Sequence, residues 1–149
     1  MKQTPVVVTD TETIATSVLT VPTQGEGFID ITAEVVRFLK QTGGATGAVT
    51  LFIRHTSASL TIQENADPDV LADLMTLLRR LAPADGGWRH TVEGPDDMPA
   101  HIKTMLTCSS LQIPVLDGAL TLGTWQAIYM IEHRMRPHSR EVVMQFMGS

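Results

Sequence analysis

Hydrophobic and polar residues alternate along several segments of the chain, as they do in strands that bury one face. We predict strands at six places: 9–22, 47–55, 59–64, 111–115, 120–133 and 141–146. The last two segments are joined by a connection over 134–139, so they are expected to form an antiparallel hairpin.

Three segments instead repeat their apolar residues at helical spacing. The first helix starts near Asp30 or Thr32 and ends at the Gly43-Gly44 pair. The second helix has Asp67 as its N-cap and Pro68 in its first turn. Its apolar stripe consists of Val70, Leu74, Leu77, Leu78 and Leu81, and Val70, Leu74, Leu78 and Leu81 are predicted to be buried. A shorter third helix is predicted from Asp96 or Asp97.

This order of elements predicts the fold class. Strands dominate, three helices are interspersed, and there is no regular alternation of strand and helix, which favours an α+β fold. A length of 149 residues fits a single domain over residues 1–149. This many strands leave sheet edges to be covered, and a subunit contact is one way to cover them.

Composition narrows the functional classes. The net charge of -5, with no basic cluster, argues against nucleic-acid binding. No apolar run reaches the length of about 20 residues that crosses a membrane, and the N-terminus does not resemble a signal peptide. The single cysteine, Cys108, excludes an internal disulfide and is expected to be a small buried side chain. We therefore expect a soluble cytoplasmic protein.

Residues 54–69 carry more polar chemistry than a strand-to-helix connection needs. This stretch contains His55, four hydroxyl side chains and Glu64. Glu64 is the candidate general acid or base, provided that burial or a neighbouring carboxylate such as Asp67 raises its pKa. The alternative is that Glu64 only ends a strand, and for Asp67 the role of helix cap is favoured.

Three histidines, His55, His90 and His101, are candidates for a metal site or for acid-base chemistry. A catalytic zinc ion commonly takes three protein ligands and leaves one position open. An acidic segment separates the second and third histidines, and its carboxylates at Glu93, Asp96 and Asp97 are placed to orient imidazoles. The alternative is that each histidine is an ordinary surface or capping residue. His133 and His138 are expected to be solvated in the last loop.

Two C-terminal features add candidates for substrate binding. The segment Gly123-Thr124-Trp125-Gln126 lies inside an apolar run, where a glycine allows close backbone approach and Trp125 fits either the core or a pocket wall. Arg140 suits the planar recognition of a phosphate group. It also suits a simple ion pair with Glu132 across the expected hairpin.

Taken together, these motifs resemble the YjbQ-like family, which is named after a secondary thiamine-phosphate synthase activity. The resemblance covers about Thr13 to Phe146 and rests on the following segments: His55-Thr56-Ser57-Ala58 with Glu64 and Asp67, His90, the run from Asp96 to His101, and Leu122-Gly123-Thr124-Trp125-Gln126 with Glu132 and Arg140. It implies a β-sandwich-like α+β core, assembly as a homotrimer, and a histidine-lined site near the subunit contacts.

The resemblance also implies an activity, in which a pyrimidine diphosphate is joined to a thiazole phosphate with release of pyrophosphate. The substrate would be a phosphorylated small molecule, and a divalent metal such as zinc or magnesium would assist the reaction. The catalytic candidates are Glu64, His55 and Asp67; the substrate-binding candidates are Ser57, Thr124, Gln126 and Arg140; the metal-binding candidates are His90, His101 and His55. Two other readings stay open: a trimeric metal- or ligand-binding protein without dedicated catalysis, and a hydrolase that uses Glu64 to activate water.

Overall fold

The computed structural model describes residues 1–149 and contains eight strands and three helices. The strands are β1 (Thr13–Pro22), β2 (Gly27–Asp30), β3 (Gly47–Ile53), β4 (Ala58–Glu64), β5 (Ser110–Leu116), β6 (Ala119–Leu120), β7 (Gln126–Glu132) and β8 (Ser139–Gly148). The helices are α1 (Thr32–Thr42), α2 (Pro68–Leu81) and α3 (Asp97–Leu106). The predicted α+β fold is confirmed. No helix is long and apolar enough to span a lipid bilayer.

The strands form two antiparallel sheets. One sheet has five strands in the order β1-β8-β3-β5-β6, and the other has three in the order β2-β7-β4. Both sheets contribute buried side chains to one core cluster, with Val49 and Phe146 from the larger sheet and Leu60 and Met130 from the smaller. The core is therefore sandwich-like, since alternate residues of each strand point into the layer between the sheets.

Helix boundaries follow the local signals in the sequence. The Asp67 side chain accepts a hydrogen bond from the Asp69 amide, with Pro68 in the first turn of α2. After α1, Gly43 adopts a left-handed conformation with φ of 69°, which glycine reaches at little cost. The predicted start of α2 and the predicted end of α1 are therefore confirmed.

The apolar stripe of α2 is covered only in part. Leu78 is buried, Val70 and Leu74 are half-buried, and Leu77 and Leu81 remain 49% and 54% exposed. The prediction of a fully buried stripe is therefore wrong for this chain alone. The helix lies at the margin of the fold, where one row of side chains meets the protein and the next row faces outward.

The predicted C-terminal hairpin is wrong. Strand β7 belongs to the three-stranded sheet, whereas β8 lies inside the five-stranded sheet. Residues 133–138 therefore cross from one sheet to the other. Alternating apolar residues predict strands, but they do not show which sheet a strand joins. This crossing places the end of β7 beside the start of β8 at one end of the molecule, where the polar side chains gather.

Candidate functional site

The polar side chains of the candidate site come from three connections at this end of the two sheets. They are the loop between β3 and β4, the segment that leads into α3, and the crossing from β7 to β8. The sequence folds this way because apolar strands end there, and the polar connections remain at the surface.

His90, Asp97 and His101 form the tightest chemical group. Nε2 of His90 lies 2.7 Å from Oδ2 of Asp97, and Nε2 of His101 lies 3.1 Å from the same oxygen. One potential ligand atom from each residue falls within 4.8 Å of the other two. The segment before α3 folds back on the helix, so residues eleven positions apart share one carboxylate.

One hydrogen bond of His101 places a proton on its Nδ1. Its Nδ1 lies 2.8 Å from the carbonyl oxygen of Thr56, and because a carbonyl only accepts, Nδ1 must carry a proton. A neutral ring then presents the lone pair of Nε2 to the Asp97 carboxylate. Two acceptors at 3.1 Å repel each other unless a second proton or a cation lies between them. This donor set fits a divalent cation.

Arg134 holds the acidic segment in place. Its guanidinium donates to Oδ1 of Asp97, to Oδ2 of Asp96 at 3.1 Å, and to the carbonyl of Glu93 at 2.8 Å. The two oxygens of Asp97 thus have separate partners, because Oδ1 faces the arginine and Oδ2 faces the imidazoles. Sequence analysis missed Arg134, and the available signal was an arginine just after a predicted strand in a chain that also has the adjacent acidic pair Asp96-Asp97.

The Asp97 carboxylate is kept charged although its side chain is only 2% exposed. Burial by itself would raise its pKa, but the hydrogen bond with His90, the charge of Arg134 and the attraction of both imidazoles in their protonated form outweigh burial, so the pKa lies below its ordinary value. A buried, ionised carboxylate beside two imidazoles has the charge that a cation needs.

His55 does not join this group. Its Nε2 accepts a hydrogen bond from the backbone amide of Glu141 at 2.8 Å. Since a backbone N–H only donates, a neutral His55 carries its proton on Nδ1, and neither nitrogen is free to bind a metal. Burial, followed by the charge of Arg140, lowers the pKa of His55 and keeps it neutral. The structure therefore supplies Asp97, not His55, as the third potential ligand.

Arg140 and Glu132 form a buried ion pair. Nε of Arg140 donates to Oε2 of Glu132 at 2.7 Å, and Nη2 donates to Oγ of Ser57 at 2.9 Å. Burial would raise the pKa of Glu132, but the hydrogen bonds from Arg140, the Arg134 amide and Thr23 lower it overall. The pair joins the two sheets, so it is not a pair within one hairpin.

An open cavity of about 610 Å³ lies against this network. Its lining includes His55 and Ser57 from the loop between β3 and β4, Arg140 from β8, and Thr104 and Ser109 from α3 and the segment after it. The loop between β3 and β4 separates the cavity from the imidazole pair, because the Thr56 carbonyl in that loop binds His101. The cavity and the potential metal ligands are thus immediate neighbours.

Four other candidates lie at the opposite end of the smaller sheet. Glu64 ends β4, and its register partner Gln126 begins β7. Ala58 starts β4 beside the histidine end, so at about 3.3 Å per residue Glu64 is roughly 20 Å away. Asp67 caps α2, and Thr124 is exposed in the loop before β7. Within one chain, none of the four reaches the imidazole pair.

Two further expectations are wrong. His133 is buried, with 1% of its surface exposed, because it continues β7 into the protein and its Nε2 lies 2.8 Å from Oγ of Ser59. Cys108 is exposed, because it follows α3 at the surface. Of the two alternatives for Trp125, the core is excluded, because the side chain is 64% exposed.

Known proteins agree with this architecture. A sequence model described as "UPF0047 protein YjbQ-like" matches residues 17–149. A UPF0047 protein of Synechocystis is 49% identical over 132 residues, which cover 88% of this chain and 90% of the relative. The UPF0047 protein YjbQ of Escherichia coli O157:H7 is 39% identical over 131 residues, covering 87% of this chain and 95% of the relative.

Solved structures show the same fold. A crystal structure of a YjbQ/UPF0047 protein from Clostridium acetobutylicum superposes with a TM-score of 0.82 at 40% identity, covering 87% of this chain and 98% of that one. A YbjQ-like protein from Sulfolobus solfataricus also gives a TM-score of 0.82, at 19% identity, over 92% of this chain and 100% of that one. The second likeness concerns the fold alone. Because the family model matches residues 17–149, the chain belongs to the YjbQ-like UPF0047 family.

Proposed function

We propose that the protein is a metal-assisted enzyme acting on phosphorylated small molecules, with a divalent cation held by His90, Asp97 and His101. The observation that carries the proposal is the cluster itself, in which one potential ligand atom from each of the three residues lies within 4.8 Å of the other two. Nε2 of His101 lies 3.1 Å from Oδ2 of Asp97, and a cation between these atoms would be bound by both.

The donor set favours zinc over magnesium. Two imidazole nitrogens and one carboxylate oxygen are typical zinc ligands, whereas magnesium prefers oxygen ligands throughout. The side chains of His90 and His101 are 42% and 34% exposed, so an ion held there would stay open to a substrate. When bound, such an ion would neutralise charge on phosphate oxygens.

The reaction proposed for testing is a thiamine-phosphate synthase-like transfer. It joins a pyrimidine diphosphate to a thiazole phosphate and releases pyrophosphate. The protein's own residues would bind and orient the substrate in the 610 Å³ cavity beside the histidine pair. Arg134 would act as a positioning residue, because it fixes the carboxylate that both imidazoles share.

We further propose that the working form is a homotrimer. The support is the family resemblance together with an exposed apolar surface on α2 and α3, where Leu77, Leu81, Met105 and Leu106 are each about half exposed or more. Monomeric proteins seldom leave such side chains grouped in solvent. Assembly would cover this surface.

The decisive experiment compares His101→Ala with His138→Ala. His101→Ala is expected to abolish stoichiometric zinc, measured by elemental analysis, and the thiamine-phosphate synthase-like turnover, while circular dichroism stays unchanged. His138 hydrogen-bonds only to its own loop and to Thr23, so its replacement is expected to change neither readout. Full metal content in the His101 variant would refute the site.

A second candidate is a metal-binding protein without dedicated catalysis. It is favoured by the distance of Glu64, the carboxylate expected to transfer protons, from the imidazole pair within the chain. Glu64→Gln distinguishes the two candidates. Metal-loaded protein whose slow turnover is unaffected by this substitution supports the binding protein, whereas a loss of turnover at full metal content supports the enzyme.

A further inference from the structure

Arg140 has two N–H groups that no protein atom accepts. The Nε and Nη2 groups are used, with Glu132 and Ser57 as acceptors. The only neighbour of Nη1 is Nδ1 of His55, at 3.5 Å, the outer limit of a hydrogen bond. The residue is 4% exposed, and the cavity that it lines is the surface from which a partner could reach it.

The neighbouring imidazole does not accept from Nη1 either. Since Nε2 of His55 accepts from the Glu141 amide, the proton of the neutral ring is on Nδ1. Two donors therefore face each other across 3.5 Å. Such a pair is stable when a third group with several acceptor oxygens binds to both.

Both donors line the 610 Å³ cavity, and hydroxyl groups surround them there. Oγ of Ser57 accepts from Arg140, which leaves its own proton free to donate. Arg54 lies at the rim, paired with Glu141 at the surface. The lining thus offers four donor hydrogens without a protein acceptor: two on Nη1, one on Nδ1 of His55 and one on Oγ of Ser57.

We propose that this cavity binds a phosphate group, with oxygens accepting from Nη1 of Arg140, Nδ1 of His55 and Oγ of Ser57. The inference deepens the proposed function and rests on it for the molecule that carries the phosphate. Arg140 is already neutralised by Glu132, so binding depends on the converging donors more than on net charge. A tetrahedral group with several acceptor oxygens suits donors that approach from different directions.

The test uses the full chain, labelled with ¹⁵N and kept free of metal by a chelator, titrated with inorganic phosphate at pH 7.5. Long-range nitrogen–proton spectra should show the Nδ1–H tautomer of His55 and its saturable shift at millimolar phosphate. Acetate at equal concentration should produce at least a tenfold weaker response. A reversed tautomer, an absent shift or an equal response to acetate would each overturn the proposal.

Variants test the donors one at a time. Arg140→Lys keeps a positive charge beside Glu132 but removes Nη1, and His55→Phe removes Nδ1–H. Each is expected to weaken phosphate binding at least tenfold, whereas His138→Phe should leave it within twofold. If Arg140→Lys fails to fold, the wild-type tautomer and His55→Phe still decide the outcome.

The experiment separates this inference from the metal site. Phosphate binding is read without metal and without turnover. Zinc binding with no response of His55 to phosphate would refute only the phosphate subsite. A saturable His55 shift in a protein that takes up no zinc would refute only the proposed metal centre.

Discussion

At the scale of single residues, the most perturbed group is His133. Burial, followed by the charge of Lys103, lowers its pKa from 6.5 to about 4. The folded protein therefore keeps a neutral imidazole where the unfolded chain would take up a proton. Its Nδ1 has no hydrogen-bond partner and lies in a buried position, so a charge there would be poorly solvated.

This pKa predicts how stability depends on pH. The contribution of His133 is complete above pH 6.5 and is lost as the pH falls from 6.5 to about 4, because only the unfolded state binds the proton in that range. The free energy of unfolding should fall by roughly 3 kcal/mol over this interval. Urea titrations at several pH values measure the slope, and His133→Gln should flatten it.

His138→Gln is the matched control, since that ring lies at the loop surface, and its slope should equal that of the wild type. The lowered pKa of His55 adds a smaller effect of the same sign. A slope unchanged by His133→Gln would show that His133 does not titrate in this range.

Arg134 allows a second test at this scale. Arg134→Lys keeps a positive charge but cannot bind Asp97, Asp96 and the Glu93 carbonyl together. Zinc affinity, measured by competition with a chromogenic chelator, should fall about 10- to 100-fold because the Asp97 carboxylate is no longer oriented. Arg136→Lys, in the same loop but exposed, should leave the affinity unchanged.

The sequence predicted which residues belong to the candidate site better than it predicted which residues they contact. The pairing of His90 with His101 was anticipated because an acidic segment separates them. The exclusion of His55 was not, since it depends on a hydrogen bond from Glu141, which lies 86 positions away. Long-range hydrogen bonds of this kind leave no local signal in the chain.

At the scale of elements, α2 provides a matched pair of substitutions. Leu78 is 8% exposed and Leu77 is 49% exposed, so the same truncation removes very different contacts. Leu78→Ala should lower the free energy of unfolding by about 2–5 kcal/mol. Leu77→Ala should cost well under half of that in the isolated chain, as measured by denaturant titration at low protein concentration.

An equal cost for both substitutions would mean that Leu77 is buried in solution by another surface. Repeating the titration at higher protein concentration would then identify a second copy as that surface, because stabilisation by assembly increases with the logarithm of protein concentration.

Elements with local signals were predicted well, and their partners were not. Asp67-Pro68 marks a helix start by capping chemistry alone, and the helix begins there. Whether β7 and β8 pair with each other depends on which sheet each strand joins. The alternation of apolar and polar residues does not reveal this, because it is the same in either sheet. The exposed half of the α2 stripe is another such case, since periodicity marks an apolar face without showing what covers it.

At the scale of the whole molecule, the proposed homotrimer can be tested by measuring the molecular mass of the protein in solution. Light scattering coupled to size exclusion should give three times the chain mass of 16.2 kDa. Leu81→Glu places a charge on the exposed apolar surface and should shift the protein toward monomer, whereas Asp73→Ala on the polar face should not. A wild-type monomer at micromolar concentration would refute the trimer.

The placement of β8 determines when the larger sheet can form during synthesis. This strand lies between β1 and β3, and its pairing joins Thr13 to Gly148. On a ribosome, β1 and β3 emerge before β8 and stay without their common neighbour until β8 has been made. In the meantime β3 can pair with β5, but its other edge stays open, and β1 has no partner in the sheet. Open strand edges favour aggregation, so nascent chains that lack β8 are expected to need protection by chaperones. The five-stranded sheet is therefore completed only after β8 has emerged.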